Sequence, residues 1–278
     1  MPTLLGMRIL TAVIGIPVAI YIINYGTWVF ATAVALLAVV AWHEFAKMMY
    51  AKDINVQYGI GLLSIILALG CAWLGNEQEL IMVILLLVLL IMAKTVISHN
   101  NFGIIDAAIT LLGTLYVSLP FSHLLLLRFT EQQQYIPTIL GNLSAGAVYL
   151  WLAFIGTWAS DTMAYFVGSI FGRHKLCPAI SPGKTYEGAA GGLVGSVIGI
   201  TAMGALGGLS LIHTLILGFL VGIAAPVGDL AESALKRFTG VKDSGNALPG
   251  HGGVLDRFDA IMFAVPVVYY YVKAFIIS

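Results

Sequence analysis

Leu80-Ile-Met-Val-Ile-Leu-Leu-Leu-Val-Leu-Leu-Ile-Met-Ala93 carries no polar side chain in fourteen residues. It is the heart of an apolar run over 78–95. A barrel strand in a membrane alternates polar and apolar side chains, and this run does not. In hydrocarbon every backbone amide needs an internal partner, which leaves the α-helix. A crossing needs about 20 apolar residues. By that measure further spans are expected at 7–23, 27–43, 57–74, 104–127, 146–171, 188–207, 211–230 and 258–277. Composition agrees: 60% of the 278 residues are hydrophobic, 9% are charged, and the mean hydropathy is +0.98. A soluble domain has about 25% charged residues. The expected fold is therefore all-α, a polytopic integral membrane protein with about nine transmembrane helices.

Charge sets the expected orientation. Arg8, Lys47, Lys52, Lys94, Arg173, Lys175, Lys184, Lys236, Arg237, Lys242 and Arg257 fall on one side of a nine-helix chain, and Arg128 and Lys273 on the other. The positive-inside rule then places the N-terminus and the two most basic loops in the cytoplasm. Met1 to Ile23 has one positive charge and a long apolar stretch but no Ala-x-Ala cleavage site, so it reads as a retained first span. Pro120 is expected to split or kink the fifth run. His43, Glu44 and Asp106 stand at span ends and are expected at the interface. The net charge of +0 gives no basic field for nucleic acid. Cys71 and Cys177 have no metal or redox spacing.

Residues 1–145 read as scaffold helices, and 146–278 as the part that could do chemistry. Gly191, Gly195 and Gly199, with Gly188, Gly192 and Ser196, repeat every four residues, which predicts one smooth helix face for close packing. No strand precedes these glycines and no Gly-Lys-Ser/Thr closes them, so they are not a phosphate loop.

Three polar clusters lie toward the cytoplasmic ends of the last four helices. The first is Ser160-Asp161 with Arg173, His174 and Lys175; the second is Ser181-Pro-Gly-Lys-Thr-Tyr-Glu187. The third runs from Asp229 through Glu232, Lys236, Arg237 and Lys242 to Asp256, Arg257 and Asp259. A carboxylate inside a span costs about 2.5–3.5 kcal/mol on insertion scales, so Asp161 and Asp229 should face a wet cavity or a cation. Pro226 should open the helix around Asp229. Asp229, Glu232 and Lys236 are spaced i, i+3, i+7 on one helix face. The glycine-rich stretch 238–255 should turn the chain and return Asp256 beside them. Magnesium is commonly held by one or two carboxylates plus substrate phosphates, which Asp229 and Asp256 would supply. Lys236, Arg237, Lys242 and Arg257 would hold phosphates. Gly250, Gly252 and Gly253 would let backbone amides approach phosphate oxygens.

Ser233-Ala-Leu-Lys-Arg-Phe-Thr-Gly-Val-Lys-Asp-Ser-Gly-Asn-Ala-Leu-Pro-Gly-His-Gly-Gly-Val-Leu-Asp-Arg-Phe-Asp259 resembles the signature of the phosphatidate cytidylyltransferases. Ser160-Asp161, Phe171-Gly-Arg-His-Lys-Leu176 and Ser181-Pro-Gly-Lys-Thr-Tyr-Glu187 are similar to that family's other blocks. The resemblance is specific over 150–278 and only topological before that. It implies transfer of the cytidylyl group of CTP to phosphatidic acid in the bilayer, with release of pyrophosphate and dependence on Mg2+. It leaves open a second, monovalent cation. It also implies a bacterial inner (plasma) membrane location, a cytoplasm-facing site and a homodimer, for which spans four to six are the expected interface. By the same resemblance Asp229, Asp256 and Lys184 are the catalytic residues, Asp229 and Asp256 the metal ligands, and Asp161 a further ligand or a partner of a lysine. Ser181, Lys184, Lys236, Arg237, Lys242, His251 and Arg257 would bind substrate, with Asp243 and Asp259 supporting them. Two other readings stand beside it: a CTP-dependent lipid kinase of the dolichol type, and a secondary transporter with a helix broken near Gly222, Pro226 and Gly228. The pattern of the CDP-alcohol phosphatidyltransferases is absent.

Overall fold

The structure is a computed structural model that describes residues 4–98, 100–138, 141–247, 250 and 252–277, with side chains from residue 13 onward. Among the described residues there are nine helices: α1 (Leu4–Tyr25), α2 (Thr27–Tyr50), α3 (Tyr58–Trp73), α4 (Glu77–Ile97), α5 (Ile104–Phe129), α6 (Ala145–Phe171), α7 (Tyr186–Leu206), α8 (Leu211–Thr239) and α9 (Leu255–Phe275). Each falls on one of the nine apolar runs. Six of them, α2, α4, α5, α7, α8 and α9, are long and apolar enough to cross a membrane. The part of α1 described with side chains, Val13–Tyr25, and α3 are shorter apolar helices. At 27 residues α6 has the length, but Thr157, Ser160, Asp161 and Thr162 dilute its apolar character.

Two helices run on past their apolar stretch. α2 continues from residue 43 to Tyr50 because His43 to Met49 contains no glycine or proline. α8 continues from residue 230 to Thr239 and ends where Gly240 takes a left-handed φ of 75°. Neither Pro120 nor Pro226 interrupts its helix: α5 and α8 are continuous across them. Each proline only withholds one amide from the helical ladder. The predicted opening of the backbone at Pro226 is thus corrected, and with it the broken helix that a transporter reading needs. The connections hold two short antiparallel hairpins that the helical pattern did not announce. β1 (Tyr135–Thr138) pairs with β2 (Gly141–Ser144), and β3 (Lys175–Cys177) with β4 (Ser181–Thr185). β4 runs directly into α7, which corrects the expectation that no strand precedes the α7 glycines; those glycines nonetheless lie within the helix and not in a loop.

The chain forms two compact units. One comprises Met1–Leu126 with Lys236–Arg257, and the other Leu127–Leu235 with Phe258–Ser278. In the first unit the core centres on Trp42 and Phe45 of α2, both fully buried and stacked at 5.8 Å. Gly61 of α3 lies flat against the Trp42 ring and Gly113 of α5 against Phe45, so a methyl group at either glycine would overlap the aromatic. The Trp42 indole donates to the Tyr58 carbonyl at 3.0 Å, which satisfies its one polar atom. Asp106, at the start of α5, accepts from the amides of Gly103 and Asn55, each at 2.8 Å. It thereby ties the segment after α2 to the first turn of α5.

In the second unit α6 and α7 pack along the glycine face predicted from the sequence. Gly188 and Gly192 abut Ala164 and Ser160, and Gly195 and Gly199 abut Ala159. A Cβ at Gly195 would sit 2.6 Å from the Ala159 carbonyl oxygen. Gly218 and Gly222 do the same for α8 against Val197 and Leu193 of α7. Gly228 lets α8 reach the backbone of α9 at Asp259. Lipid offers no hydrophobic drive for helix association, so this small-residue contact supplies the packing.

Candidate active site

Each unit holds a lysine–aspartate pair built from residues singled out in the sequence. In the second unit β3 and β4 bring Lys184 to the start of α7. Thr185 caps that helix by accepting from the Gly188 amide at 3.1 Å. Glu187, in the first turn of α7, accepts from the amides of Arg173 and His174 and lies 2.6 Å from Nδ1 of His174. The chain leaving α6 is thus pinned to the N-terminus of α7, and the hairpin between them has a fixed base. Lys184 Nζ then stands 2.6 Å from Oδ2 of Asp229 on α8. The contact is an ion pair without the alignment of a hydrogen bond. Ser233, one turn further along α8, donates to Oδ1 of Asp229 at 3.3 Å. Both charged groups border a cavity of 450 Å³ whose wall also includes Ser160, Asp161, Tyr165 and Pro226. Asp161 is within electrostatic reach of Asp229 and Lys184. The structure therefore brings Asp161, Lys184 and Asp229 together. Ser181 lies in β4 opposite Cys177 and is not part of that wall.

In the first unit Asp256 stands in the first turn of α9. Its Oδ1 lies 2.7 Å from Lys236 Nζ. Its Oδ2 accepts from the Ser244 amide at 2.9 Å, the Ser244 hydroxyl at 2.9 Å and the Gly253 amide at 2.8 Å. The carboxylate side chain is only 8% exposed. Gly252 has φ +88°, which a side chain would strain, and it also leaves the room that Oδ2 of Asp256 occupies. Arg237, Lys242, Asp243 and Arg257 are solvent-exposed. His251 lies outside the described residues.

Three further carboxylates have surroundings that their sequence reading did not supply. Glu44 was expected at the membrane interface and is 4% exposed. It accepts from the amides of Val254 at 2.9 Å and Leu255 at 3.0 Å, and the Ser244 hydroxyl lies 3.2 Å away. Glu232 shares a helix face with Asp229 by spacing but is fully buried. Asp259 accepts from the following amide, that of Ala260, at 2.7 Å. The one signal that could have exposed Glu44 is its position at the end of an apolar run, where burying a charge is costly unless something compensates it.

A divalent cation is tested by the donors present. Among the described residues no group of three or more His, Cys, Asp or Glu side chains is arranged to hold a metal ion. Magnesium does not need such a group, because it keeps waters and takes substrate phosphates as ligands. Asp229 is about one third exposed, borders the cavity and offers only oxygen. That donor set fits a hard cation.

A family model described as the cytidylyltransferase family matches residues 6–275. Proteins called phosphatidate cytidylyltransferase are similar along nearly the whole length. The one from Staphylococcus saprophyticus is 35% identical over 266 residues, covering 94% of this chain and 96% of that protein. The one from Bacillus subtilis is 34% identical over 274 residues, covering 96% and 97%. The one from Staphylococcus aureus strain COL is 36% identical over 264 residues, covering 94% and 96%. With a match this long and relatives this similar, the chain belongs to the cytidylyltransferase family.

Proposed function

We infer that this integral membrane protein transfers the cytidylyl group of CTP to phosphatidate, giving CDP-diacylglycerol and pyrophosphate. One observation in the molecule carries the reading: a 450 Å³ cavity bordered by Lys184, Asp229 and Asp161, in a chain of this family. An oxygen of the lipid phosphate bonds to the α-phosphorus of CTP. The bond from that phosphorus to the α–β bridging oxygen breaks, and its electrons leave with pyrophosphate. The nucleophile is already an anion, so no strong base is required. The barrier is repulsion between anions and charge gathering on the leaving group, which fixed positive groups relieve.

In this reading Lys184 and Lys236 hold phosphates. Each is kept in place beforehand by its aspartate, and a triphosphate offers the ammonium stronger acceptors. Arg237, Lys242, Arg257, Ser181 and His251 contribute further phosphate contacts. Mg2+ is the proposed cofactor, with Asp229 and Asp256 as ligands and Asp161 assisting; Asp229 is the more open of the two, and Asp256 would have to give up its Lys236 contact to take an ion. When bound it supplies charge neutralisation for the triphosphate. We also propose nine crossings with a cytoplasmic N-terminus, a bacterial inner membrane location, a cytoplasm-facing site and a homodimer.

The test is purified protein in lipid vesicles with phosphatidate, Mg2+ and CTP labelled at either the α or the γ phosphorus. Label from the α position should enter the lipid and label from the γ position should appear in pyrophosphate. Label from the γ position in the lipid would instead make the chain a lipid kinase.

A further inference from the structure

Glu44 is a buried carboxylate that the proposed chemistry does not use, and its surroundings give it a definite task. It lies on α2, two hundred residues from Ser244 in sequence, and is 4% exposed. A buried carboxylate is costly unless donors compensate it. Here the donors are the backbone amides of Val254 and Leu255, at 2.9 and 3.0 Å. These are amides at the start of α9, which have no partner inside the helix. The helix dipole also favours an anion there.

The amide just before them, that of Gly253, goes to Oδ2 of Asp256 instead. Three consecutive N–H groups, 253 to 255, are therefore shared between two carboxylates, one to Asp256 and two to Glu44. Ser244 stands between the same two acids. Its hydroxyl is 2.9 Å from Asp256 Oδ2 and 3.2 Å from Glu44 Oε2, and its single proton serves one of them at a time. Its amide is committed to Asp256. The backbone is pressed onto Glu44 from two sides. A Cβ at Gly253 would lie 2.6 Å from both carboxylate oxygens of Glu44, and one at Gly245 would lie 2.5 Å from Oε1.

We infer that Glu44 is a positioning residue for cytidylyl transfer: it locks the first turn of α9 and the segment around Ser244, and so orients the carboxylate of Asp256 toward Lys236. The inference rests on the proposed reaction. Glutamate suits the task in a way that glutamine does not. Both carboxylate oxygens accept, whereas an amide presents a donor NH2 to one of the two backbone N–H groups. Aspartate is one methylene shorter and could not span the same distance from the α2 backbone.

Hydrogen exchange on the full-length protein in detergent tests the geometry without turnover. In the wild type the amides of residues 254 and 255 should exchange far more slowly than those of the exposed residues 246 and 247. Equal rates would overturn the inference. In Glu44→Gln the slow exchange should be lost at one at least of residues 254 and 255 while the α6–α7 amides remain protected. Persistence of the wild-type protection would overturn it too. Steady-state kinetics supply the second readout. On the folded fraction, kcat of Glu44→Gln should fall roughly 10- to 100-fold with KM for phosphatidate little changed, as for other groups that orient a reactive carboxylate. A lower yield of folded protein with wild-type kcat would mean that Glu44 is only structural. If Glu44→Gln does not fold, Ser244→Ala should show a smaller fall in kcat, and full wild-type kcat there would count against the bridge. The wild-type control separates the two claims. Wild type without α-label transfer defeats the reaction itself, whereas an active wild type with an unaffected Glu44→Gln defeats only the role of Glu44.

Discussion

The two lysine–aspartate pairs have the same chemistry and nearly the same length, 2.6 Å for Lys184–Asp229 and 2.7 Å for Lys236–Asp256. Their surroundings differ. Asp229 is 36% exposed at the edge of a cavity and has one further donor, Ser233 at 3.3 Å. Asp256 is 8% exposed and is held by three further donors from Ser244 and Gly253. An exposed ion pair is screened and contributes little to stability, whereas breaking a buried one leaves an uncompensated charge. The comparison separates a carboxylate that is free to exchange its partner from one that is built into its scaffold. Both are assigned to one reaction, so their loss should look alike in turnover and different in stability.

That contrast can be broken by substitution. The largest effect should be on activity. Asp229→Asn and Asp256→Asn should each lower kcat by about 100- to 1,000-fold or more, the usual cost of removing a group that stabilises developing charge. Both proteins should still insert and extract. Near-wild-type turnover in either would remove that residue from the metal assignment.

Next comes stability. Lys236→Met strands the buried Asp256 carboxylate and should cost roughly 3 kcal/mol, read as a lower melting temperature in detergent. Lost packing on the α6–α7 face follows. Gly195→Val pushes side-chain atoms against Ala159 and Met163 and should cost about 1–3 kcal/mol, as overpacking does. The smallest stability effect belongs to Lys184→Met, which should cost less than about 1 kcal/mol because its pair is partly exposed. The same variant should nonetheless lose activity. Equal destabilisation by Lys184→Met and Lys236→Met would erase the distinction between the two sites.

Much of this was legible from residue order. The apolar runs placed the nine helices found among the described residues, since a stretch such as 80–93 has one way to satisfy its backbone in hydrocarbon. The four-residue glycine repeat announced the α6–α7 contact, because one face of an α-helix returns at that interval. Asp161 and Asp229 stood out as carboxylates inside spans, and Lys184, Lys236 and Asp256 as charges in the segments beside them. The hairpin that carries Lys184 was not legible: three- and five-residue strands carry too little alternation to register. Glu44 was read as interfacial for a related reason. Its neighbours along α2 do not reveal that amides more than two hundred residues away will satisfy it.

The sequence by itself determined the helices, the small-residue packing face and the inventory of charged groups, because each depends on neighbours within a few residues. Only the tertiary structure decided which lysine meets which aspartate, and that Glu44 and Asp256 divide the amides at the head of α9. Those choices depend on groups distant along the chain, where compensating a buried charge selects one partner from among several of the right sign.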